Sequence, residues 1–142
     1  MSEPFQLLLN KEKTVHSVKM CGIVGFTWED KKLLRKMTER VAHRGPDSAG
    51  FYCDSGISLG HRRLIIMDLS KKGNQPLVNE EGNVFVIVNG EIYNFKKLRE
   101  ILEKKGHCFS SNSDSEVIVH GYEEYGDNVS SYLEGMFAFA LW

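Results

Sequence analysis

The stretch Val84-Phe85-Val86-Ile87-Val88-Asn89 constrains the fold more than any other part of the chain. It is apolar up to Asn89 and rich in β-branched side chains, which suits an interior strand and little else. Glu81-Gly82-Asn83 supplies a turn before it, and NGEIYN (89–94) reads as a loop after it. Four further strands fit the pattern: CGIVGFT (21–27), 50–54, 57–67 after a turn at Asp54–Gly56, and a final core strand, GMFAFALW (135–142).

Helical spacing appears three times between these strands. From Asp30, a candidate cap, Leu34, Met37 and Val41 form one apolar stripe. Phe95, Leu98, Ile101 and Leu102 form a second helix that ends by Gly106, and a third fits Asp114–Tyr125. HRGPDSAG (43–50) and most of 68–82 are loop. Interleaved helices and hairpin-like strand pairs predict an α+β layered sandwich rather than a doubly wound sheet.

At 142 residues the chain fits one domain, with 42% hydrophobic and 26% charged residues. A net charge of −1 without a basic stripe gives no bulk attraction for nucleic acid or an anionic membrane. No apolar run approaches the roughly 20 residues that span a bilayer, and Phe5–Leu9 is too short a patch for a secretory signal. Three cysteines (Cys21, Cys53, Cys108) without a CxxC pair suggest free thiols in a reducing compartment, so a cytoplasmic location is expected. Residues 1–20 read as a polar appendage to a domain covering 21–142. The apolar ending reads as a fragment of something longer.

Chemistry can begin at Cys21. If Cys21 is the first residue of the mature chain, its α-amine, with a pKa of roughly 7.7–8.0, lies beside its own thiol and can act as the base. Taken alone, Cys21 reads more readily as a small buried hydrophobe, as most cysteines are. Amide hydrolysis through a thioester needs donors for an oxyanion, and Asn89-Gly90 can supply a side-chain amide and a backbone N–H. Taken alone, that pair is an ordinary Asn-Gly turn. An amino-acid substrate needs an anchor at each charged end. A guanidinium from Arg62 or Arg63, which point to opposite strand faces, suits a carboxylate. Asp114 suits an ammonium group, although on spacing alone it is a plain helix cap. His43, His61, His107 and His120 show no metal-ligand spacing, and the chain has no Walker-type loop and no GxGxxG.

Seven stretches together resemble the class II glutamine amidotransferase domain of asparagine synthetase: MCGIVGF (20–26), HRGPDSAG (43–50), GHRRLIIMDLS (60–70), NQPL (74–77), VNGEIYNF (88–95), NSDSEVI (112–118) and LEGMFAFALW (133–142). They cover nearly everything from Met20 onward. The resemblance implies the four-layer αββα sandwich of N-terminal-nucleophile hydrolases, incomplete at its C-terminus. It implies that Cys21 attacks the glutamine carboxamide, that Asn89 and Gly90 form the oxyanion hole, and that Arg63 holds the substrate carboxylate. Asp114 would receive the ammonium group, with Glu91 and Leu64 lining the same pocket.

The resemblance further implies that ammonia passes to a synthetase domain or subunit that amidates aspartate, with ATP and Mg expected only there and no cofactor in this chain. A homodimer is compatible with it. HRGPDSAG, NQPL and NGEIYN together favour the asparagine synthetase branch over sugar transaminases and purine-pathway relatives. Alternatives are an amidotransferase of the same branch with another carboxylate acceptor, and an inactive fragment that retains a glutamine pocket. A different N-terminal-nucleophile hydrolase is a weaker alternative.

Overall fold

The computed structural model describes residues 20–142; the expectation for the N-terminal appendage lies, apart from Met20, outside the described residues. The elements run β1 (Gly22–Phe26), α1 (Lys31–Arg40), β2 (Ser48–Asp54), β3 (Ile57–Arg63), β4 (Leu77–Val78), β5 (Phe85–Ile92), α2 (Phe95–Lys104), α3 (Glu116–Tyr125) and β6 (Gly135–Leu141). Short 3-10 helices occupy Lys71–Gly73 and Gly126–Tyr132. Two antiparallel three-stranded sheets form, in the orders β1-β3-β2 and β4-β5-β6.

The alternation of side chains along β5 explains why the sheets stack. Val86, Val88 and Ile92 pack on one face against Leu98 and Leu102 of α2 and Val117 and Ile118 of α3. Phe85 and Ile87 point the other way, into a cluster with Ile57 and Leu59 of β3 and Ile23 of β1. Both faces are therefore buried, and an uninterrupted apolar run is what such a strand requires. With α1 packed on β1 and β3 outside the first sheet, the layers run α1, sheet, sheet, α2 and α3. This is the four-layer αββα sandwich.

Local chemistry sets the element ends. Asp30 caps α1 by accepting from the Leu33 N–H at 2.8 Å. The buried pair on α1 is Leu34 and Thr38, whereas Met37 is 38% exposed, so the expected stripe is displaced by one position. Position 60 of β3, the glycine facing this helix, admits Thr38 so closely that a Cβ there would lie 2.2 Å from Thr38 Oγ1. A small side chain at that contact lets the helix approach the sheet.

Three other expectations are corrected. The strand expected over 57–67 ends at Arg63, and 64–67 leaves the sheet, with Ile66 and Met67 more than half exposed. NGEIYN is not a loop from its start, because Asn89, Gly90, Glu91 and Ile92 continue β5 in register with Ala138, Phe137, Met136 and Gly135. The expected final core strand, β6, is only half covered among the described residues, with Met136 and Trp142 exposed. Polar residues on β5 hid the first half of this pairing, and cross-strand partners decide it.

His61 joins the two sheets. Its Nε2 donates to the Val88 carbonyl at 3.1 Å, and the ring is 1% exposed. Burial pushes its pKa down to about 4, partly opposed by the Val88 carbonyl and assisted by the Arg63 charge. The unfolded chain takes up this proton near 6.5 and the folded one near 4. Between those values the unfolded state binds more protons, so stability falls as pH drops from 6.5 to 4. The loss attributable to this group is on the order of 3 kcal/mol. A His61→Gln chain should show a flatter thermal midpoint over that window; an identical pH profile would remove the assignment.

Candidate active site

Strand parity brings the chemistry-bearing residues to one edge of the sandwich. Cys21 precedes β1 in phase with Ile23, and Arg63 follows Ile57, Leu59 and His61 on the β3 face that looks toward the second sheet. Gly22 pairs with Arg62, which sets Cys21 beside the end of β3. Asn89 has the parity of Phe85 and Ile87, so it too faces the space between the sheets. Arg62 points away, donating from Nε to the Gly45 carbonyl at 3.0 Å.

The Cys21 thiol lies against the Leu64 peptide. Leu64 N–H donates to Sγ at 3.4 Å, and the thiol faces the Leu64 carbonyl at 3.8 Å. Arg44 Nε donates to the Cys21 carbonyl at 3.1 Å. Burial and the Asp114 charge push the thiol pKa up, with burial the larger effect; the Leu64 N–H and the Arg63 charge oppose them. The group is therefore a thiol at neutral pH. Among the described residues neither a histidine nor a carboxylate bonds its sulfur, so a proton must leave through another base before the sulfur attacks.

Opposite the thiol, a cleft with an empty volume of about 480 Å3, part of it open to solvent, is lined by Cys21, Arg63, Leu64, Gly90, Glu91 and Asp114 among others. Six of the seven residues singled out from the sequence thus meet in one place. Asn89 is the exception: it does not line the cleft, and its Oδ1 is buried without a hydrogen-bond partner among the described residues.

Arg63 is 6% exposed and anchored by the loop that follows β3. Its Nη1 donates to the Ser70 carbonyl (2.9 Å) and Asn74 Oδ1 (2.8 Å), and its Nη2 to the Asp68 carbonyl. A guanidinium has five N–H donors, so these bonds fix the fork and leave donors over. Asp114 does not cap α3, as spacing alone suggested. Its Oδ2 accepts from the Ile92 N–H at 2.7 Å, which ties the start of α3 to the end of β5. Gly90 has φ of 151°, and a Cβ there would lie 2.1 Å from the Met136 carbonyl oxygen. Only glycine suits this position.

Several lining residues were not singled out in the sequence: Asp68, Gln75, Ser113 and Ser115 among them. Asp68 accepts from Ser70 N–H (2.7 Å) and Asn112 N–H (2.9 Å), joining the Arg63 loop to the α3 approach; its pKa is lowered, most by the Ser70 hydroxyl and next by the Asn112 N–H. Gln75 Oε1 accepts from the Val88 N–H at 2.5 Å, seating the NQPL segment on β5. Their only sequence signal was membership of MDLS, NQPL and NSDSEV. Paired with Arg63, the acids Glu91 and Asp114 give the cleft charges of both signs, which suits a small zwitterion better than a purely anionic ligand.

A profile of the glutamine amidotransferase domain matches residues 20–142. Asparagine synthetase [glutamine-hydrolyzing] 1 of Bacillus subtilis (strain 168) is 43% identical over 131 residues, 87% of this chain and 21% of that protein. Asparagine synthetase [glutamine-hydrolyzing] 2 of Arabidopsis thaliana is 45% identical over 128 residues, 86% of this chain and 22% of that protein. The chain therefore spans about a fifth of the length of these curated relatives. Among solved structures, the glutamine phosphoribosylpyrophosphate amidotransferase from B. subtilis superposes with a TM-score of 0.66 at 20% identity, over 87% of this chain and 34% of that one. The last likeness concerns the fold.

Proposed function

Since the chain belongs to the glutamine amidotransferase domain family, we propose that it hydrolyses glutamine to glutamate and ammonia through a thioester on Cys21. The observation that carries this is the meeting of the Cys21 thiol, the Arg63 guanidinium and the Asp114 carboxylate around one cleft. Removal of residues 1–20 frees the Cys21 amine, which takes the thiol proton. The sulfur then attacks the carboxamide carbon, and the oxygen becomes an oxyanion. Gly90 N–H stabilises that charge, and the Asn89 side-chain amide joins it by turning into the cleft from its place outside the lining. Collapse of the intermediate returns the proton to the leaving nitrogen and expels ammonia. Water, deprotonated by the same amine, cleaves the thioester and releases glutamate.

The raised thiol pKa supports this assignment of the base. A site that does not hold a thiolate at rest needs one delivered on demand, and an amine on the same residue is always in reach. Arg63 holds the substrate α-carboxylate, Asp114 the α-ammonium, and Glu91 and Leu64 complete the walls. The ammonia passes to a synthetase region that amidates aspartate, where ATP and Mg2+ are used; the similarity to asparagine synthetases supports this acceptor. Release of ammonia and glutamate by a chain beginning at Cys21 tests the reading. A purified, folded chain with that N-terminus and no turnover would contradict it.

Arg63→Lys keeps the charge and removes the fork. The loss of one charge-assisted bond to substrate, roughly 1.5–3 kcal/mol, should raise KM about 10- to 100-fold with a smaller effect on kcat. An unchanged KM would take the carboxylate away from Arg63.

A further inference from the structure

Away from the residues that line the cleft, the fold gathers two histidines and four carboxylates that the proposed reaction does not use. His107 follows α2, His120 and Glu123 share one face of α3 at positions i and i+3, and Glu80 comes from the turn before β5. His120 Nδ1 lies 3.0 Å from Glu123 Oε2, and His107 Nδ1 lies 3.3 Å from the same oxygen. One ligand atom from each of the three residues falls within 4.8 Å of the others.

We propose that His107, His120 and Glu123 bind a divalent transition-metal ion of the zinc class, with Glu80 offering a fourth oxygen. Zinc–nitrogen bonds of about 2.0–2.1 Å in a tetrahedron separate neighbouring ligand atoms by about 3.3 Å, close to the two spacings above. Glu80 Oε2 lies 3.6 Å from His120 Nδ1. The surroundings match those of metal-bound imidazoles, whose outer nitrogen usually faces a carboxylate. His107 Nε2 lies 3.0 Å from Glu124 Oε1, and His120 Nε2 lies 3.8 Å from Glu116 Oε1.

His120 is 1% exposed, and its Nε2 has no hydrogen-bond partner among the described residues. Glu123 is itself oriented, because its other oxygen accepts from Asn79 Nδ2 at 2.8 Å. Glu116 is held by Ser110 and Ser111, whose N–H groups donate at 2.7 and 2.8 Å. Four carboxylates around two imidazoles leave negative charge over, even with Lys105 paired to Glu124. A dication completes that arrangement. The ion clips three segments remote in sequence, the 79–83 turn, the connection after α2, and α3. The histidine spacing along the chain hides this, since only the fold brings His107 to His120, with ring centroids 5.2 Å apart.

The test is competition for Zn2+ between the full chain and a chromophoric chelator, repeated with Co2+ to read coordination from its visible absorption. The expected result is one ion per chain and a tetrahedral Co2+ spectrum without thiolate charge transfer. Glu123→Gln and His107→Ala should each abolish that binding, and Glu124→Gln should weaken it about 10- to 100-fold. Circular dichroism confirms that each variant is folded, and Glu123→Gln, being isosteric and near the surface, covers the case in which His107→Ala is not. Absence of stoichiometric binding, or binding that survives both ligand variants or vanishes in Cys108→Ser, would overturn the proposal.

Discussion

Cys21→Ala in a chain beginning at that position should abolish glutamine hydrolysis, a loss on the order of 10^4- to 10^6-fold. The α-amine remains, as do Arg63, Asp114 and the Gly90 backbone, so substrate still binds. What disappears is the atom that forms the thioester, and no other group takes over its covalent role. The fold should tolerate the change, because among the described residues the sulfur bonds only the Leu64 peptide, and the residue is half-buried. Binding of glutamine with near-normal affinity, measured by calorimetry, separates lost chemistry from lost structure. Turnover at the parent rate in this variant would exclude Cys21 as the nucleophile.

The second large effect concerns the fold and lies outside the cleft. Gly50 of β2 faces the peptide of Gln75, and a Cβ at this position would lie 1.7 Å from the Gln75 carbonyl oxygen. That oxygen belongs to the backbone and cannot swing aside as a side chain would. Gly50→Ala should therefore cost more than about 3 kcal/mol, at the upper end of overpacking penalties, and lower the thermal midpoint by roughly 10 °C or more. The displaced segment carries Gln75, whose Oε1 holds the Val88 N–H, so the cleft should loosen along with the fold. A thermal midpoint equal to that of the parent would show that β2 and the 74–77 segment are not packed as described.

These two positions show what a sequence discloses and what it withholds. The apolar run at 84–88 announced a strand buried on both faces, and β5 is that strand because each face has its own cluster. Cys21, Arg63, Leu64, Gly90, Glu91 and Asp114 were legible through motifs in a known order, and they line one cleft. Asn89 was legible as a residue, yet its side chain stands outside that lining. Its continuation of β5 was not legible, since polar Asn89 and Glu91 look like loop until their partners Ala138 and Met136 are known.

Long-range contacts account for most of what was hidden. Asp68 reaches Asn112 across 44 positions, and nothing in MDLS or NSDS alone announces the bond. HRGPDSAG reads as loop throughout, but Ser48, Ala49 and Gly50 already belong to β2, and the work of the HRGPD part is to brace the end of β3. Arg44 holds the Cys21 carbonyl, and Asp47 Oδ2 accepts from the Ile65 N–H at 2.8 Å. Asp114 reads as a cap by its place before a helix, and only the Ile92 N–H reveals its other attachment. Periodicity reports which faces are buried; it does not report which remote peptide satisfies a buried carboxylate.

The most direct test of the account is covalent labelling by the diazoketone analogue of glutamine, read by intact mass and peptide mapping on a chain whose first residue is Cys21. A single adduct on Cys21, prevented by excess glutamine, is the predicted result. No adduct, or one on Cys53 or Cys108 while Cys21 stays free, would contradict the assignment of Cys21 as the nucleophile of a glutamine site.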